Sequence, residues 1–377
     1  MIISKHIPII SLVLSLWCSP ISASSHMKFK QWFHAWHNDL LPSDWSTGQC
    51  KAVLDAYWTS NTSSFAWPCQ GSLDCILGET SQSALQELSG SLVVLGLTPT
   101  LLSTLGPSLG ESAMLSFQRP GLSLLLSLGA PAIWPPRILA YEDPLLVLEK
   151  SPLTSRFLGN LWPRAQRQHQ RIISFIEYIF ALAAIANVIY VSLELGWKSV
   201  LSWKCEWSFF PLAWTLVPAG IHILNALAFW LTPKFVMAVS NEPSSRSQEG
   251  ESSIALVGGG AEPQEISRVS PIQEFDTSYS RPNRTIYSQL PTFWSIVLSS
   301  ITTGFAVGHV MFGTMIFSSL LFLRIVDALP VIFRFALSAI ICRFISQYEL
   351  AGMSERFNYE YKNQDSMEDP LKPGSGK

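Results

Sequence analysis

Six polar or ionisable side chains lie inside otherwise apolar stretches of the sequence: Glu177, His222, Asn225, His309, Asp327 and Arg334. Acids, histidines and an arginine at membrane depth are the residue types from which proton or ion paths are built. His222 and Asn225 are three residues apart and therefore share a helix face. The alternative is that these side chains satisfy one another inside a helix bundle, or reach the membrane interface as arginine can. Asp327 and Arg334 share a face and are expected to pair with each other or with Arg324.

Other chemistry is not indicated by the sequence. It contains no His-Glu-x-x-His, no Gly-x-Ser-x-Gly, no phosphate-binding loop and no zinc pair. We therefore predict no catalytic residues, no cofactor and no metal ligands. The net charge of −2 argues against nucleic acid as a partner, because phosphate binding needs a dense basic face.

The composition indicates the element that must position these residues, a bundle of membrane helices. The chain is 48% hydrophobic and 14% charged, whereas a soluble domain is about 25% charged. The uncharged residues are concentrated in long blocks. These blocks are 88–110, 120–136, 172–193, 208–231, 291–323 and 325–345. No strand alternation is visible, so we predict an all-α polytopic transmembrane bundle that binds the lipid bilayer.

The first residues resemble a secretory signal peptide, 1–23. Lys5 precedes the apolar run 7–17, and small residues follow up to Ala23. An uncleaved anchor is the alternative. On either interpretation the segment 24–83 enters the lumen, where the sequon at Asn61 is a glycosylation candidate.

The number of crossings is five or six. With six, the basic segment 137–171 would lie outside, against the positive-inside rule. With five, the proline-broken segment 120–136 dips in and returns as a re-entrant or half-crossing segment, and the linker 232–290 lies in the cytoplasm. We favour five crossings, which a glycan on Asn283 would contradict.

The cysteines favour the same topology. Cys50, Cys69 and Cys75 are lumenal, and five crossings also bring Cys205 to the lumen, where two disulfides can form. Of the three connectivities, the spacing suggests Cys69 with Cys75 and Cys50 with Cys205.

The predicted order of segments follows from these assignments. It is signal peptide 1–23, lumenal segment 24–83, first crossing and broken segment 84–140, basic loop 141–171, two crossings 172–231, linker 232–290, last two crossings 291–347 and polar tail 348–377. The linker lacks helical or strand periodicity and is rich in Ser, Pro, Gly and Glu, so we predict a disordered tether or a docking segment for protein partners. The block 291–323 is long for one crossing, so it tilts, extends or bends near 302–304. Within that block, Gly304 and Gly308 have a spacing that favours close helix packing within the chain or between two chains.

Several motifs carry a resemblance to a family of uncharacterised multi-pass integral membrane proteins of filamentous fungi. They are "LGLTPT" at 95–100, Arg119-Pro120, "LGAP" at 128–131, Pro136-Arg137, "YEDP" at 141–144 and "FALSAIICRFISQYELAGM" at 335–353. This chain has Gln118 where the family prefers a second arginine. The resemblance implies a topology class and a fungal origin, and it implies no site residues.

The sequence favours a non-enzymatic membrane protein of the secretory pathway, scaffold-like or sensor-like, at the plasma membrane. A transporter or channel that uses the broken region 88–136 is the alternative, because discontinuous helices line many midplane binding sites. A membrane-embedded enzyme is the third interpretation. The sequence identifies no ligand.

Overall fold

A computed structural model describes residues 28–35, 48, 50–59, 67–135, 167–230, 237–239, 273–278, 284–287 and 292–360. The predicted signal peptide, the Asn61 sequon and most of the basic loop, the linker and the polar tail lie outside the described residues. The described part is mainly helical. Its helices are α1 Lys51–Thr59, α2 Trp67–Glu79, α3 Gln82–Leu105, α4 Leu109–Gln118, α5 Pro120–Gly129, α6 Arg167–Lys198, α7 Phe210–Trp230, α8 Phe293–Phe317 and α9 Ile325–Arg356. Its strands are β1 Val200–Leu201, β2 Met237–Val239, β3 Arg284–Tyr287, β4 Leu320–Leu321 and β5 Phe357–Glu360.

Five of the helices, α3, α6, α7, α8 and α9, are long and apolar enough to cross a membrane. Large apolar side chains on their outer faces are exposed, for example Phe175 (66%), Met311 (69%) and Phe333 (67%). Contiguous apolar surface of this kind is typical of contact with lipid rather than with water. The prediction of an α-helical protein with five long apolar segments is confirmed.

Helices α4 and α5 form a short hairpin between α3 and α6. A capping box starts α4: Glu111 N donates to Ser108 Oγ at 3.2 Å, and Ser108 N donates to Glu111 Oε2 at 2.8 Å. Such a cap satisfies helix N–H groups that would otherwise lack acceptors in an apolar environment. Helix α5 starts at Pro120, a residue that suits the first helical position because it needs no acceptor.

Helix α5 reaches only half the height of the bundle. A Cβ atom on Gly129, its last residue, would lie 2.7 Å from Cys342 Sγ and 3.2 Å from Ala184 Cβ. Both of these residues lie near the middle of their helices. The chain after α5 then runs beside the start of the hairpin, because a Cβ on Gly106 would lie 2.5 Å from Ala132 O. The proline-broken part of the sequence is therefore a half-length hairpin packed inside the bundle.

One end of the bundle, which we call the disulfide end, carries Cys50–Cys75 and Cys69–Cys205. Two disulfides among these four cysteines are as expected, but the suggested connectivity is wrong. Cys69 and Cys75 both lie on α2, and six residues at 3.6 per turn leave them about 120° apart, on different sides of the helix. Strands β1 and β4 pair antiparallel at this end and join the turns after α6 and α8.

Lys28 attaches the N-terminal segment to the disulfide end. Its side chain is buried, and Nζ donates to Gly196 O at 2.5 Å and to Ser199 O at 2.7 Å. These carbonyls lie at the C-terminal end of α6, where a helix leaves acceptors without partners. Burial lowers the pKa of Lys28 from 10.5 to about 7.

The opposite end, the linker end, contains secondary structure where none was predicted. Strand β3 pairs with β2 antiparallel and with β5 parallel, and residues 273–278 pack against the helices. This secondary structure was not expected from the sequence, and the disorder of the linker as a whole stays a prediction. Strand β2 pairs with β3 across more than 40 residues of the linker, β5 follows α9, and the residues that contact 273–278 lie in the bundle, so such distant pairings leave no local pattern in the sequence.

The last two helices also differ from the predicted boundaries. Helix α8 ends at Phe317 and a turn carrying β4 follows, so the length of the block 291–323 requires no bend. Helix α9 continues to Arg356, into the predicted polar tail. Gly304 and Gly308 face outwards with open space around them, whereas it is Gly313 that contacts another helix, at Trp214.

Candidate functional site

A fully buried arginine at the linker end lies between two buried glutamates. Arg119 Nη1 lies 2.5 Å from Glu177 Oε2 and 2.9 Å from Glu349 Oε1. Arg119 Nη2 donates to Ser174 Oγ at 2.6 Å, and its Nε donates to Glu274 O at 3.0 Å. We call Arg119, Glu177 and Glu349 the Arg119 cluster. It joins the α4–α5 junction to α6, to α9 and to the linker.

The hairpin positions Arg119 through the break between its two helices. Arg119 is the residue between α4 and α5, so its backbone belongs to neither helix and its side chain projects towards α6 and α9. The start of α5 also binds the linker, because Leu122 N donates to Glu274 Oε1 at 3.1 Å. A carboxylate is favourable there, since a helix N-terminus carries partial positive charge. Tyr178 OH donates to the same oxygen at 2.9 Å.

Residues 273–278, which we call the docked segment, bind the cluster through Glu274 and Ser278. Ser278 donates to Glu349 Oε2 twice, from its backbone N at 3.1 Å and from its hydroxyl at 2.6 Å. The Thr277 hydroxyl donates to Gln170 Oε1 on α6. Thr277 and Ser278 are both buried. The cluster thus holds a piece of the linker against three helices.

His222 and Asn225 hold the hairpin from α7. Asn225 Nδ2 donates to Leu109 O at 2.7 Å. The Ser123 hydroxyl donates to Ser112 O at 2.8 Å, so it can only accept from His222 Nε2, which lies 3.1 Å away. His222 is therefore protonated on Nε2, and its Nδ1 has no partner. Asn225 thus holds the start of α4, and His222 holds α5.

His309, on α8, holds the chain just after α5. Its Nε2 lies 3.1 Å from Pro131 O, a carbonyl just after α5, and must donate to it. The ring stacks on Trp214 with centroids 5.0 Å apart, and Trp214 Nε1 donates to His309 O at 3.1 Å. The carbonyl after α5 thus finds its donor within the protein.

Asp327 and Arg334 do not pair with each other, contrary to expectation. Arg334 Nη1 contacts Glu194 Oε2 at 3.2 Å, and its Nε donates to Asn187 Oδ1 at 3.1 Å. Asp327 Oδ1 accepts from Ala35 N at 3.2 Å. Seven residues of helix span about 10 Å, so the polar groups on α6 are closer to Arg334 than Asp327 is.

The six intramembrane residues named from the sequence therefore fall into separate groups. Glu177 belongs to the Arg119 cluster, and three residues hold the hairpin, namely His222, Asn225 and His309. Arg334 ties α9 to α6, and Asp327 ties α9 to the N-terminal segment. Sequence reasoning missed Arg119, Glu349 and Glu274 as site residues. Arg119 and Glu349 stand beside apolar blocks, where a charge is normally assigned to the membrane interface, and only the fold turns them inwards.

Comparisons with known proteins gave no match to a protein family, a curated protein or a solved structure. Within the described residues, no three His, Cys, Asp or Glu side chains are grouped so that they could hold a metal ion. The geometry of the site is therefore the basis for a functional proposal.

Proposed function

We propose that this protein is a non-enzymatic integral membrane protein of scaffold or sensor type, located in the secretory pathway and at the plasma membrane. The observation that supports it is the docked segment: the Arg119 cluster holds part of the linker inside the bundle. A segment held by a few polar bonds can be released, and its release would offer the linker to protein partners. The resemblance to the fungal family adds a fungal origin to the proposal.

The proposed topology has five crossings, with the α4–α5 hairpin as a re-entrant segment. The turns after α6 and α8 lie at the disulfide end, and the docked segment and the end of α9 lie at the linker end. This arrangement fits an odd number of crossings. Since disulfides persist in oxidising compartments, we assign the disulfide end to the lumen and the linker to the cytoplasm.

Glycan mapping tests this topology. In the full chain expressed in cells, we expect N-glycan on Asn61 and none on Asn283, because only the lumenal side meets the glycosylation machinery. Asn61→Gln should therefore remove the mobility shift caused by endoglycosidase treatment, whereas Asn283→Gln should leave it unchanged. A glycan on Asn283 would place the linker in the lumen and contradict the five-crossing topology.

A transporter or channel is the second candidate, and the half-length helix α5 favours it. Interrupted helices that end at mid-height line the binding sites of many transporters. In such sites the freed backbone groups face water or ligand. Here His309 bonds Pro131 O, the carbonyl just after α5, so this group is bound by the protein itself. We therefore place the scaffold or sensor proposal first.

Flux measurements separate the two candidates. We expect proteoliposomes with the purified full chain to pass protons and K⁺ no faster than protein-free liposomes. Asn225→Ala and His309→Ala should then leave the leak unchanged, as should Gly308→Ala, whose new Cβ meets open space. A flux that the first two changes reduce and Gly308→Ala does not would contradict the scaffold or sensor proposal and favour transport.

A further inference from the structure

We propose that Glu177 and Glu349 form a proton-binding site: the two carboxyl groups share one proton, and this proton keeps residues 273–278 docked. The inference rests on the proposed function, in which the docked segment is the part of the linker that can be released. It assigns the regulation of that release to cytoplasmic pH.

The first reason is the balance of charge. Glu177 Oε2 and Glu349 Oε1 approach the same guanidinium nitrogen of Arg119, at 2.5 and 2.9 Å. The side chains of the three residues are 6%, 0% and 0% exposed. If both carboxyl groups were ionised, one negative charge would be buried without compensation, which is strongly unfavourable. Two carboxyl groups in such proximity commonly hold one proton between them.

The second reason is independent of charge. Glu177 Oε1 is buried and has no hydrogen-bond partner, and the buried Glu349 Oε1 has only its ion-pair contact with Arg119 Nη1. The two carboxyl groups meet at the same nitrogen, Arg119 Nη1. A carboxylate only accepts, whereas a protonated carboxyl group can also donate. One proton held between the pair therefore supplies a missing donor and removes the excess charge.

No neighbouring group in the described residues neutralises the second negative charge of the pair in another way. The titratable groups around the pair are Arg119 at the hairpin, Tyr178 on α6, Glu274 in the docked segment, Glu111 on α4 and His222 on α7. Glu274 accepts from Tyr178 and from the start of α5. Glu111 accepts from Gln347, and His222 bonds Ser123. Arg119 is the one fixed positive charge in this set, and its bonds already include both acids.

Docking and proton binding are linked because the docked segment covers the pair. Ser278 donates to Glu349 Oε2 from its backbone and its hydroxyl. Undocking admits water, which stabilises a second negative charge. The proton therefore binds more strongly when the segment is docked, and by reciprocity the proton favours docking. The segment is released as the pH rises.

Spin labelling tests this inference in the full chain in nanodiscs. A nitroxide on Asp276→Cys reports the mobility of the docked segment between pH 5.5 and 9. Other described cysteines are in disulfides or, like Cys342, buried. We expect the spectrum to change from immobilised to mobile as the pH rises. The steepness of this pH titration should correspond to the release of about one proton. Glu177→Gln should stay immobilised throughout, because its amide donates at every pH.

The control is Glu111→Gln, an acid outside the pair whose replacement still fits the capping box. It should keep the transition, and helicity measured by circular dichroism should match the wild type in every variant. A transition that survives in Glu177→Gln overturns the proton site. So does docking that follows the Na⁺ concentration at fixed pH, since a metal cation would then balance the charge. A wild type that is immobilised at every pH refutes the proton site alone, whereas one that is mobile at every pH refutes the proposed function as well.

Discussion

Replacing Arg119 by methionine should lower the free energy of unfolding by about 3–5 kcal/mol, the largest single effect that we expect. Methionine retains much of the apolar stem but leaves Glu177 and Glu349 buried without a positive partner. It also removes the donors to Ser174 Oγ and Glu274 O. Denaturant or SDS unfolding in mixed micelles, followed by circular dichroism, measures the change.

Arg343→Met is the matched control for that experiment. Arg343 is exposed on α9 and donates to one backbone carbonyl, Thr104 O, at 2.6 Å. Its replacement should change stability by no more than about 0.5–1 kcal/mol. Adding Glu177→Gln and Glu349→Gln to Arg119→Met should recover much of the loss, because the uncompensated charges are then removed. An Arg119→Met protein as stable as Arg343→Met would contradict the structural role of the cluster.

The second large effect is expected at Gly313, where α8 meets α7 and α3. A Cβ there would lie 2.3 Å from Trp214 Nε1, 2.6 Å from Trp214 Cε2 and 2.9 Å from Pro99 Cγ. The Trp214 side chain is fully buried and stacked on His309, so it cannot move aside without disturbing the bond to Pro131. Gly313→Ala should therefore destabilise the protein by about 1–3 kcal/mol, as overpacking does.

Gly308→Ala tests whether this effect comes from packing. Gly308 lies on the same helix, and a Cβ there meets nothing within 4 Å. The same chemical change should leave stability unaltered or raise it, because alanine is favoured over glycine in a helix by up to about 1 kcal/mol. Equal melting temperatures for the two variants would show that α8 does not approach Trp214 as described.

The long helices could be predicted because the signal is local. Length and apolar composition alone identify a segment able to cross a bilayer. The half-length helix α5 left a local signal as well, since Pro120 starts it and Pro131 follows its end. Helix ends were less predictable. The continuation of α9 to Arg356 depends on packing of charged residues such as Glu349, which an apolar block does not include.

The candidate site was not predictable in the same way because its contacts join distant parts of the chain. Arg119 lies 58 residues from Glu177 and 155 from Glu274, and no spacing rule connects them. The cysteines show the same limit, since Cys69 pairs with Cys205 across 136 residues. Nearness in sequence suggested Cys69 with Cys75, and the geometry of one helix prevents it. Of the three residues of the Arg119 cluster, the sequence identified only Glu177 as a candidate, because an acid in an apolar helix is visible without knowing its partner.

The central claim is that the bundle holds the linker at residues 273–278, and hydrogen exchange of the Ser278 amide tests it most directly. This amide donates to Glu349 Oε2 and belongs to a buried residue. In the full chain in nanodiscs near pH 6, its exchange should be at least about tenfold slower than in a free peptide of the same sequence. Arg119→Met should bring it to the rate of the peptide. Exchange at the peptide's rate in the wild type would contradict the account.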